Sequence, residues 1–187
     1  MQLYEVSENL LDPVLRVHEW VQEAQADLVA LPHAMNISTL NDSGKPSSRM
    51  VLLKRISQDG LVFFTDYEGG KGQQISNFSH VALNFWWAKT NKQIRIEGQC
   101  EKVSEEENDE YFNSRPRGSQ ISASVSLQSK EIESYESLVQ KSYVFEKEHR
   151  EKDISRPSRW GGYIVKPHSI EFWVDQKNRL HKRELFV

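Results

Sequence analysis

The sequence predicts an α+β fold, in which an antiparallel sheet or barrel carries helices on its outside. Three observations support this class: strand-like segments dominate the chain, polar turns join successive strands, and no β-α-β alternation occurs. A doubly wound nucleotide-binding fold is disfavoured, because the chain contains neither GxGxxG nor GxxxxGK[ST]. At 187 residues, the chain is expected to form a single domain over residues 1–187.

Composition and charge exclude several classes of protein. Leu, Ile, Val and Phe make up about 26% of the chain, above the roughly 20% below which chains tend to be disordered. The net charge of −3 provides no basic field for nucleic acid. The sequence has no signal-peptide pattern and no apolar run of about 18 residues, so neither secretion nor a membrane partner is expected. With Cys100 as its single cysteine, the chain is predicted to be cytoplasmic.

The first predicted element is an amphipathic helix over residues 13–27, preceded by Asp12 as its N-cap and with Pro13 at the first helical position. Its apolar side chains recur at spacings of three and four. Segments rich in Val, Ile, Phe and Thr then predict strands joined by polar turns. These strands cover residues 34–40, 47–56, 61–65, 81–87 and 93–103, with a short helix over 71–77.

Helices interrupt the strands in the second half of the chain. Ser104 and Glu107 have the spacing of a capping box, which predicts a helix running to Arg115 and ending before Pro116. A longer helix is predicted over residues 130–148. The last predicted strands cover residues 163–166, 170–174 and 179–186.

The sharpest candidate for chemistry is the cationic segment RLHKR at residues 179–183. On a strand, Arg179, His181 and Arg183 would share one face. Two permanent cations and a titratable imidazole would suit an anion or an oxidised cofactor. The same pattern also fits the solvated face of an edge strand, where charges discourage aggregation.

Other cationic positions are separate from this segment. Tyr111 and Arg115 lie four residues apart on a predicted helix, and with Ser119 they could clamp a phosphate or simply pack. The Gly69-Gly70-Lys71 loop after Thr65 could bring backbone N–H groups to an anion. Arg49 and Lys54 are an odd number apart, so they would serve one ligand only from a twisted or bulged strand, or at two different places on that ligand.

No protein nucleophile or metal site accompanies these cations in the sequence. The six histidines form no HExxH motif or close pair, so no metal is expected, and GxSxG is absent. Cys100 is interpreted as a buried strand residue, and Trp160 as core or interface packing. Scattered cations without a nucleophile favour a phosphorylated cofactor that supplies the chemistry.

Seven motifs, spread in one order from about residue 30 to residue 186, match a known family. They are ALPHAMNISTL, GKPSSRMVLLK, GLVFFTDYEGGKG, QIRIEG, YFNSRPRGSQISASVSLQS, WGGYIVKPHSIEFW and RLHKR. The chain therefore resembles the pyridoxamine 5′-phosphate oxidases. The resemblance implies a split barrel that binds FMN between the two subunits of a homodimer. It also implies oxidation of pyridoxine or pyridoxamine 5′-phosphate to pyridoxal 5′-phosphate, with O₂ reoxidising the flavin to give H₂O₂.

The resemblance also implies which side chains bind. The implied FMN set is Arg49, Met50, Val51, Leu52, Phe64, Thr65, Lys71, Gln93, Gln128, Ser129, Trp173 and Arg183. The implied substrate set is Lys54, Tyr111, Arg115, Ser119, Arg179 and His181. Arg179 and His181 are also the implied catalytic residues, which would orient and polarise the substrate during hydride transfer to the flavin.

Three departures from the family pattern bear on these expectations. Gly69-Gly70 stand where the family usually has Ser-Arg, so looser FMN binding is expected unless backbone N–H groups compensate. Lys182 replaces an acidic residue that usually lies between the histidine and the last arginine. The N-terminal lid is reduced to MQLYEVSENLL, and a C-terminal Leu-Ala-Pro-like tail is missing.

The departures leave two alternatives open. Phenazine-biosynthesis oxidases share the fold and FMN site and also lack the loop arginine, but they act on tricyclic, unphosphorylated substrates. The presence of Lys54, Tyr111, Arg115 and Ser119 favours the phosphorylated B6 substrate instead. The second alternative is a split-barrel protein that binds FMN or pyridoxal phosphate without turnover, as a carrier or regulator.

Overall fold

Strands and helices account for most of the computed structural model, which describes residues 2–7 and 9–187. Met1 and Glu8 of the predicted lid segment lie outside the described residues. The strands are β1 (Glu5–Val6), β2 (Ala34–Leu40), β3 (Pro46–Leu52), β4 (Arg55–Ser57), β5 (Gly60–Asp66), β6 (His80–Trp87), β7 (Lys92–Lys102), β8 (Trp160–Val174) and β9 (Lys182–Phe186). The helices are α1 (Val14–Ala26), α2 (Gly70–Asn77), α3 (Glu105–Ser114), α4 (Arg117–Val125) and α5 (Tyr135–Glu148), with a 3₁₀ turn at Lys177–Arg179.

The strands form one sheet in the order β1-β4-β5-β8-β7-β6-β2-β3, with β9 paired to β8. Adjacent strands in the chain, such as β2 and β3 or β6 and β7, pair antiparallel through polar turns. The short β1 runs parallel to β4, so the sheet is mixed rather than purely antiparallel. Four strands, β2 to β5, follow one another along the chain, and α3, α4 and α5 form one helical run, which is typical of an α+β fold.

Backbone contacts divide the chain into two compact units. The sheet unit comprises Met1–Phe64, Gln74–Glu101 and Tyr163–Val187, and the helical unit comprises Thr65–Gln73 and Lys102–Gly162. The prediction of a single domain stays a prediction. Among the described residues, no helix combines the length and the apolar character needed to cross a membrane.

The sheet unit has an aromatic and aliphatic core. Val17 and Val21 of α1 are fully buried, and Trp20 meets Phe172 edge to face with ring centroids 5.0 Å apart. Cys100 is buried on β7 as predicted, and this burial raises the pKa of its thiol to about 12. The thiol therefore behaves as a small apolar group at neutral pH.

The helical unit packs around Phe112 and Trp160, whose rings meet edge to face at 5.3 Å. The fully buried Asn108 accepts a hydrogen bond from the Gly162 N–H through its side-chain oxygen, at 2.7 Å. The Tyr67 hydroxyl donates to the Gly162 carbonyl at 3.0 Å. These bonds satisfy polar groups that would otherwise be costly to bury.

Two predicted helix starts are wrong. Pro13 occupies the N-cap of α1 and no side chain caps this end, so Asp12 is not the cap. The helix predicted over residues 130–148 begins only at Tyr135, where Ser134 and Ser137 form a reciprocal capping box. Sequence reasoning also missed α4, because the serine-rich segment RGSQISASV has only Ile121 as a buried anchor.

Two predicted strand boundaries are also wrong. The segment 47–56 breaks after β3. The Leu53 N–H donates to the His33 carbonyl, just before β2, whereas the next N–H, that of Lys54, donates to the Val62 carbonyl on β5. The chain thus changes neighbours at this point and continues as β4, paired with β5. The predicted strands 163–166 and 170–174 are in fact one strand, β8.

Gly72, in the first turn of α2, packs closely against the backbone of Tyr67 in the preceding loop, and a substitution can test this contact. A Cβ atom at Gly72 would lie 2.2 Å from the Tyr67 carbonyl oxygen, closer than any backbone contact tolerates. Overpacking of this kind costs about 1–3 kcal/mol, so Gly72→Ala should lower Tm by about 3–10 °C. Gly118→Ala in α4 is the matched control, because a Cβ there meets nothing within 4 Å. A thermal scan in which both variants melt like the parent protein would contradict the close approach of Gly72 to Tyr67.

Candidate functional site

Arg49 lies on β3, opposite Ile37 of β2, in the sheet unit. Its guanidinium donates to the Gln74 side-chain oxygen at 3.0 Å and to the Ser47 hydroxyl at 3.1 Å, and it also contacts the Thr39 hydroxyl. Partial burial lowers the pKa of Arg49. These partners are uncharged, so the hydrogen bonds orient the guanidinium without neutralising it.

The neighbours of Arg49 in the predicted FMN set alternate between exposure and burial. Met50 is 60% exposed, whereas Val51 is buried, as expected for successive residues of a strand. Leu52 ends β3 half-buried, and Phe64 is half-buried on β5. The exposed Met50 thioether could contact a ring system on the face of β3 opposite to Arg49.

Lys54 lies in the crossover between β3 and β4, which explains its odd spacing from Arg49. The two residues belong to different strand pairings, so they do not lie on opposite faces of one straight strand. The pKa of His33 is lowered by burial and, to a lesser degree, by the charge of Lys54. His33 Nδ1 is buried and has no hydrogen-bond partner among the described residues.

The segment RLHKR does not form the predicted row on one strand face. Arg179 lies in the 3₁₀ turn with φ of 62°, after Asn178 with φ of 58°, and β9 begins only at Lys182. Left-handed backbone at two consecutive non-glycine residues is uncommon and tends to occur at functional sites. Arg183 lies on β9 opposite Trp173, as a strand residue should.

Aromatic rings lie beside this turn. The Trp173 ring is 4.6 Å from the His181 imidazole and 6.0 Å from the ring of Trp86, which is half-exposed. On the neighbouring strand β7, the Gln93 side-chain amide donates to the Asn84 side-chain oxygen at 2.7 Å. The structure therefore brings Trp173 and His181 together.

In the helical unit, Lys71 is the centre of a compact polar cluster. Its ammonium donates to the Thr65 hydroxyl at 2.5 Å and to the Gln128 side-chain oxygen at 2.9 Å. The Gly70 N–H donates to the Ser129 hydroxyl at 3.0 Å. A cation, two hydroxyls and an amide can together bind a phosphate, so this cluster has the chemistry of a phosphate site.

Arg115, Tyr111 and Trp160 form a second cluster in the helical unit. The Arg115 guanidinium lies over the Trp160 ring at 4.4 Å, and the Tyr111 ring is nearly parallel to Trp160 at 6.2 Å. Burial lowers the pKa of Arg115, and its NH1 atom is buried without a hydrogen-bond partner in the described chain. A buried, unsatisfied cationic donor is what an anion-binding site requires before its ligand arrives.

One cavity of about 160 Å³ joins these two clusters, since both Arg115 and Gln128 line it. Arg159, another lining residue, pairs with Asp66 at 2.7 Å and donates to the carbonyls of Ala123 and Ser124 at 2.9 Å. Sequence reasoning missed Arg159, because a single arginine before a tryptophan has no distinguishing pattern. Ser119 lies half-buried in the first turn of α4, where its N–H donates to the Pro116 carbonyl.

Comparison with known proteins decides the family. Residues 21–143 match the family described as pyridoxamine 5′-phosphate oxidase. The chain belongs to the pyridoxamine 5′-phosphate oxidase family. Residues 160–187 also match the region described as the pyridoxine 5′-phosphate oxidase C-terminal dimerisation region. The resemblance inferred from the seven motifs is thereby confirmed.

Curated relatives of the family are 44–45% identical to the chain over the aligned residues. The pyridoxine/pyridoxamine 5′-phosphate oxidase of Synechocystis sp. is 44% identical over 93% of this chain and 81% of its own length. Those of Nostoc sp. and Actinobacillus pleuropneumoniae are each 45% identical, over 94% and 92% of this chain and over 82% and 81% of their own lengths.

Solved structures support the fold class. PhzG from Burkholderia lata, in complex with tetrahydrophenazine-1-carboxylic acid, has a TM-score of 0.89 and 28% identity, over 95% of this chain and 87% of its own. An FMN-binding protein from Nostoc punctiforme, related to pyridoxamine 5′-phosphate oxidase, has a TM-score of 0.70 and 14% identity, over 96% of this chain and 100% of its own. The second likeness shows the fold alone, and it confirms the predicted α+β split-barrel class.

Proposed function

We propose that the chain is an FMN-dependent oxidase that converts pyridoxine or pyridoxamine 5′-phosphate to pyridoxal 5′-phosphate, with O₂ as the electron acceptor. Relatives that carry this name are 44–45% identical over more than nine-tenths of the chain. Within the structure, the buried and unpaired NH1 of Arg115 is the observation that carries the proposal. It fits a substrate phosphate, which the pyridoxine and pyridoxamine phosphates have.

The two polar clusters suggest how two phosphates would be held separately. Lys71, Thr65, Gln128 and Ser129 would bind the phosphate of FMN. Arg49 is predicted from the resemblance as a separate FMN contact. The remaining predicted FMN contacts are Met50, Val51, Leu52, Phe64, Gln93, Trp173 and Arg183. When bound, FMN supplies hydride acceptance and the subsequent transfer of electrons to O₂.

The proposed roles of the substrate residues follow from their chemistry. Arg115 would bind the substrate phosphate, with Tyr111 and Ser119 as further donors. Lys54 is predicted from the resemblance as a separate substrate contact. Arg179 and His181 would hold and polarise the substrate ring, with His181 able to exchange a proton. Each of these assignments to FMN or substrate stays a prediction.

The proposal includes an assembly and a location. Because residues 160–187 match a dimerisation region, we propose a homodimer, with FMN bound at the subunit interface. We also propose a cytoplasmic location, without nucleic-acid or membrane partners. The even charge balance of 24 basic and 27 acidic residues supports the absence of a nucleic-acid partner.

A phenazine-type oxidase is the second candidate, and the TM-score of 0.89 with PhzG supports it. The identity with that protein is 28%, well below the 45% shared with curated pyridoxine/pyridoxamine 5′-phosphate oxidases. The phosphate-binding chemistry of Arg115 also supports the B6 substrate, because the tricyclic carboxylic acid carries no phosphate.

Anaerobic reduction of the bound flavin tests the proposal directly. Flavin-loaded protein is mixed without O₂ with pyridoxine 5′-phosphate, with unphosphorylated pyridoxine, or with tetrahydrophenazine-1-carboxylic acid, and flavin absorbance is followed. We expect rapid bleaching by pyridoxine 5′-phosphate, much slower bleaching by unphosphorylated pyridoxine even at high concentration, and none by the phenazine compound. Bleaching only by the phenazine compound would favour the second candidate, and flavin binding without bleaching by any compound would favour a non-catalytic carrier.

A further inference from the structure

A carboxylate lies against the imidazole of His181 in the sheet unit. Asp175 Oδ1 is 2.9 Å from His181 Nδ1, and the Gln176 N–H lies 3.3 Å from the same nitrogen. Nothing in the family resemblance assigns a role to Asp175, which directly follows β8.

The short distance determines where the proton of a neutral His181 must lie. A carboxylate oxygen and the Nδ1 lone pair would repel each other at 2.9 Å, so Nδ1 must carry a hydrogen that it donates to Asp175. The Gln176 N–H also lies within hydrogen-bond distance of this nitrogen, at 3.3 Å, but it can donate only to an Nδ1 that carries no hydrogen. The two contacts therefore compete, and the shorter one, to Asp175, favours the hydrogen on Nδ1. Nε2 is left with a lone pair, and the neutral ring presents this nitrogen as a hydrogen-bond acceptor.

The fold holds the two side chains of this pair in place. The Asp175 N–H donates to the Asn91 carbonyl at 3.0 Å, which fixes the end of β8 against the turn between β6 and β7. On the other side, the Trp173 ring lies 4.6 Å from the imidazole. The left-handed backbone of Asn178 and Arg179 turns the chain between the pair.

Stability does not explain the pair. The side chains of Asp175 and His181 are 47% and 26% exposed, and ion pairs this exposed contribute little to folding. Four cations, Lys177, Arg179, Lys182 and Arg183, lie within four residues of His181 along the chain. Asp175 is thus an acidic residue in a mostly basic segment, residues 175–183, and it contacts His181, the imidazole of that segment.

We propose that Asp175 is a positioning residue for His181. It holds the ring as the Nδ1–H tautomer, which directs the Nε2 lone pair at an O–H or N–H group of the substrate. This inference rests on the proposed function for the identity of the substrate, but the tautomer itself is a property of the protein. The same logic operates in the serine-protease triad, where a buried aspartate sets the histidine tautomer.

The test combines nitrogen NMR with kinetics on the full-length, FMN-loaded protein. The ¹⁵N shifts of the His181 ring, assigned with a His181→Gln variant, are recorded at a pH where the ring is neutral. We expect the Nδ1–H tautomer in the parent protein and a shift towards Nε2–H in both Asp175→Ala and Asp175→Asn. The amide keeps the shape of the side chain but can donate as well as accept, so Asp175→Asn separates charge from shape.

The kinetic readout should follow the tautomer. For both variants, kcat/KM for pyridoxine 5′-phosphate should fall roughly 10- to 100-fold, the range covered by one hydrogen bond to a substrate. FMN affinity and Tm should stay unchanged, because the pair contributes little to either. Asp59→Asn, in the exposed turn before β5, is the matched control and should change neither the tautomer nor the kinetics.

The outcomes separate this inference from the proposed function. A parent protein with the Nε2–H tautomer, or a tautomer that Asp175→Asn leaves unchanged, would overturn the inference whatever the activity. A parent protein that shows the Nδ1–H tautomer but does not oxidise pyridoxine 5′-phosphate would support the positioning role and refute the proposed function instead.

Discussion

Replacing Arg115 by methionine should lower kcat/KM for pyridoxine 5′-phosphate about a hundredfold or more. A hydrogen bond to a charged group contributes about 1.5–3 kcal/mol, and an arginine fork makes two such bonds to a phosphate. Each 1.4 kcal/mol is a factor of about ten in binding. Steady-state kinetics of the FMN-loaded variant measures this loss.

The same substitution should have little effect on folding stability. In the parent protein, the partly buried guanidinium has an unpaired NH1, which is a cost of folding. The cation–π contact of this guanidinium with the Trp160 ring, at 4.4 Å, stabilises the fold by an amount similar to the cost of the unpaired NH1. We therefore expect the free energy of unfolding to change by less than about 1 kcal/mol, so that lost activity reflects lost binding.

A matched arginine and a matched substrate serve as controls. Arg117 lies two residues away, is exposed, and donates to the carbonyls of His149 and Lys152, so Arg117→Met should leave kcat/KM unchanged. Oxidation of unphosphorylated pyridoxine, measured at high concentration, should be affected little by Arg115→Met. If the variant lost the same factor with both substrates, Arg115 would not be the phosphate ligand.

The sequence predicts this fold best where the pattern is local. The period of three and four in α1 and the boundaries of β2 are reproduced to within a residue, because burial of one face determines both. The break between β3 and β4 could not be predicted. At Leu53 and Lys54 the chain stops pairing with β2 and begins to pair with β5. Which strand a segment pairs with depends on residues far away in the chain, so the local sequence shows no pattern for this change.

The candidate site likewise contains some features that local sequence predicts and others that it does not. The loop cluster of Lys71 and Thr65 was predicted from residues six apart, whereas its contacts with Gln128 and Ser129 came only through the resemblance. The strand face proposed for Arg179 and His181 was wrong, because two left-handed residues replace the first part of the strand. Asparagine tolerates this conformation, but an arginine in it is hard to foresee from a single sequence.

Replacing Lys71 by methionine should raise the Kd for FMN about 10- to 100-fold. The segment 65–73 (TDYEGGKGQ) contains no other basic residue, because Gly69-Gly70 stand where the family usually has Ser-Arg. Loss of a charged hydrogen bond costs about 1.5–3 kcal/mol, which corresponds to this range. Titration of flavin-free protein with FMN, followed by flavin fluorescence, measures the change.

The ion pair between Arg159 and Asp66 bears on how much Lys71 contributes to binding the phosphate of FMN. Two acidic residues, Asp66 and Glu68, lie in the same segment, but Arg159 pairs with Asp66 at 2.7 Å and neutralises that charge. The hydroxyl and amide oxygens that accept from the Lys71 ammonium are uncharged. A phosphate bound at this cluster would therefore meet a cation, and the Gly70 N–H donates to the Ser129 hydroxyl of the same cluster.

A lysine from the same unit provides the control for this prediction. The ammonium of Lys102 lies 4.3 Å from the Tyr67 ring and has no place in the predicted site, so Lys102→Met should leave the Kd for FMN unchanged. The loss in Lys71→Met should shrink when riboflavin replaces FMN, because riboflavin carries no phosphate for the ammonium to bind. An equal loss with both ligands would show that Lys71 supports the loop rather than the phosphate, and the backbone amides would then be the main phosphate donors.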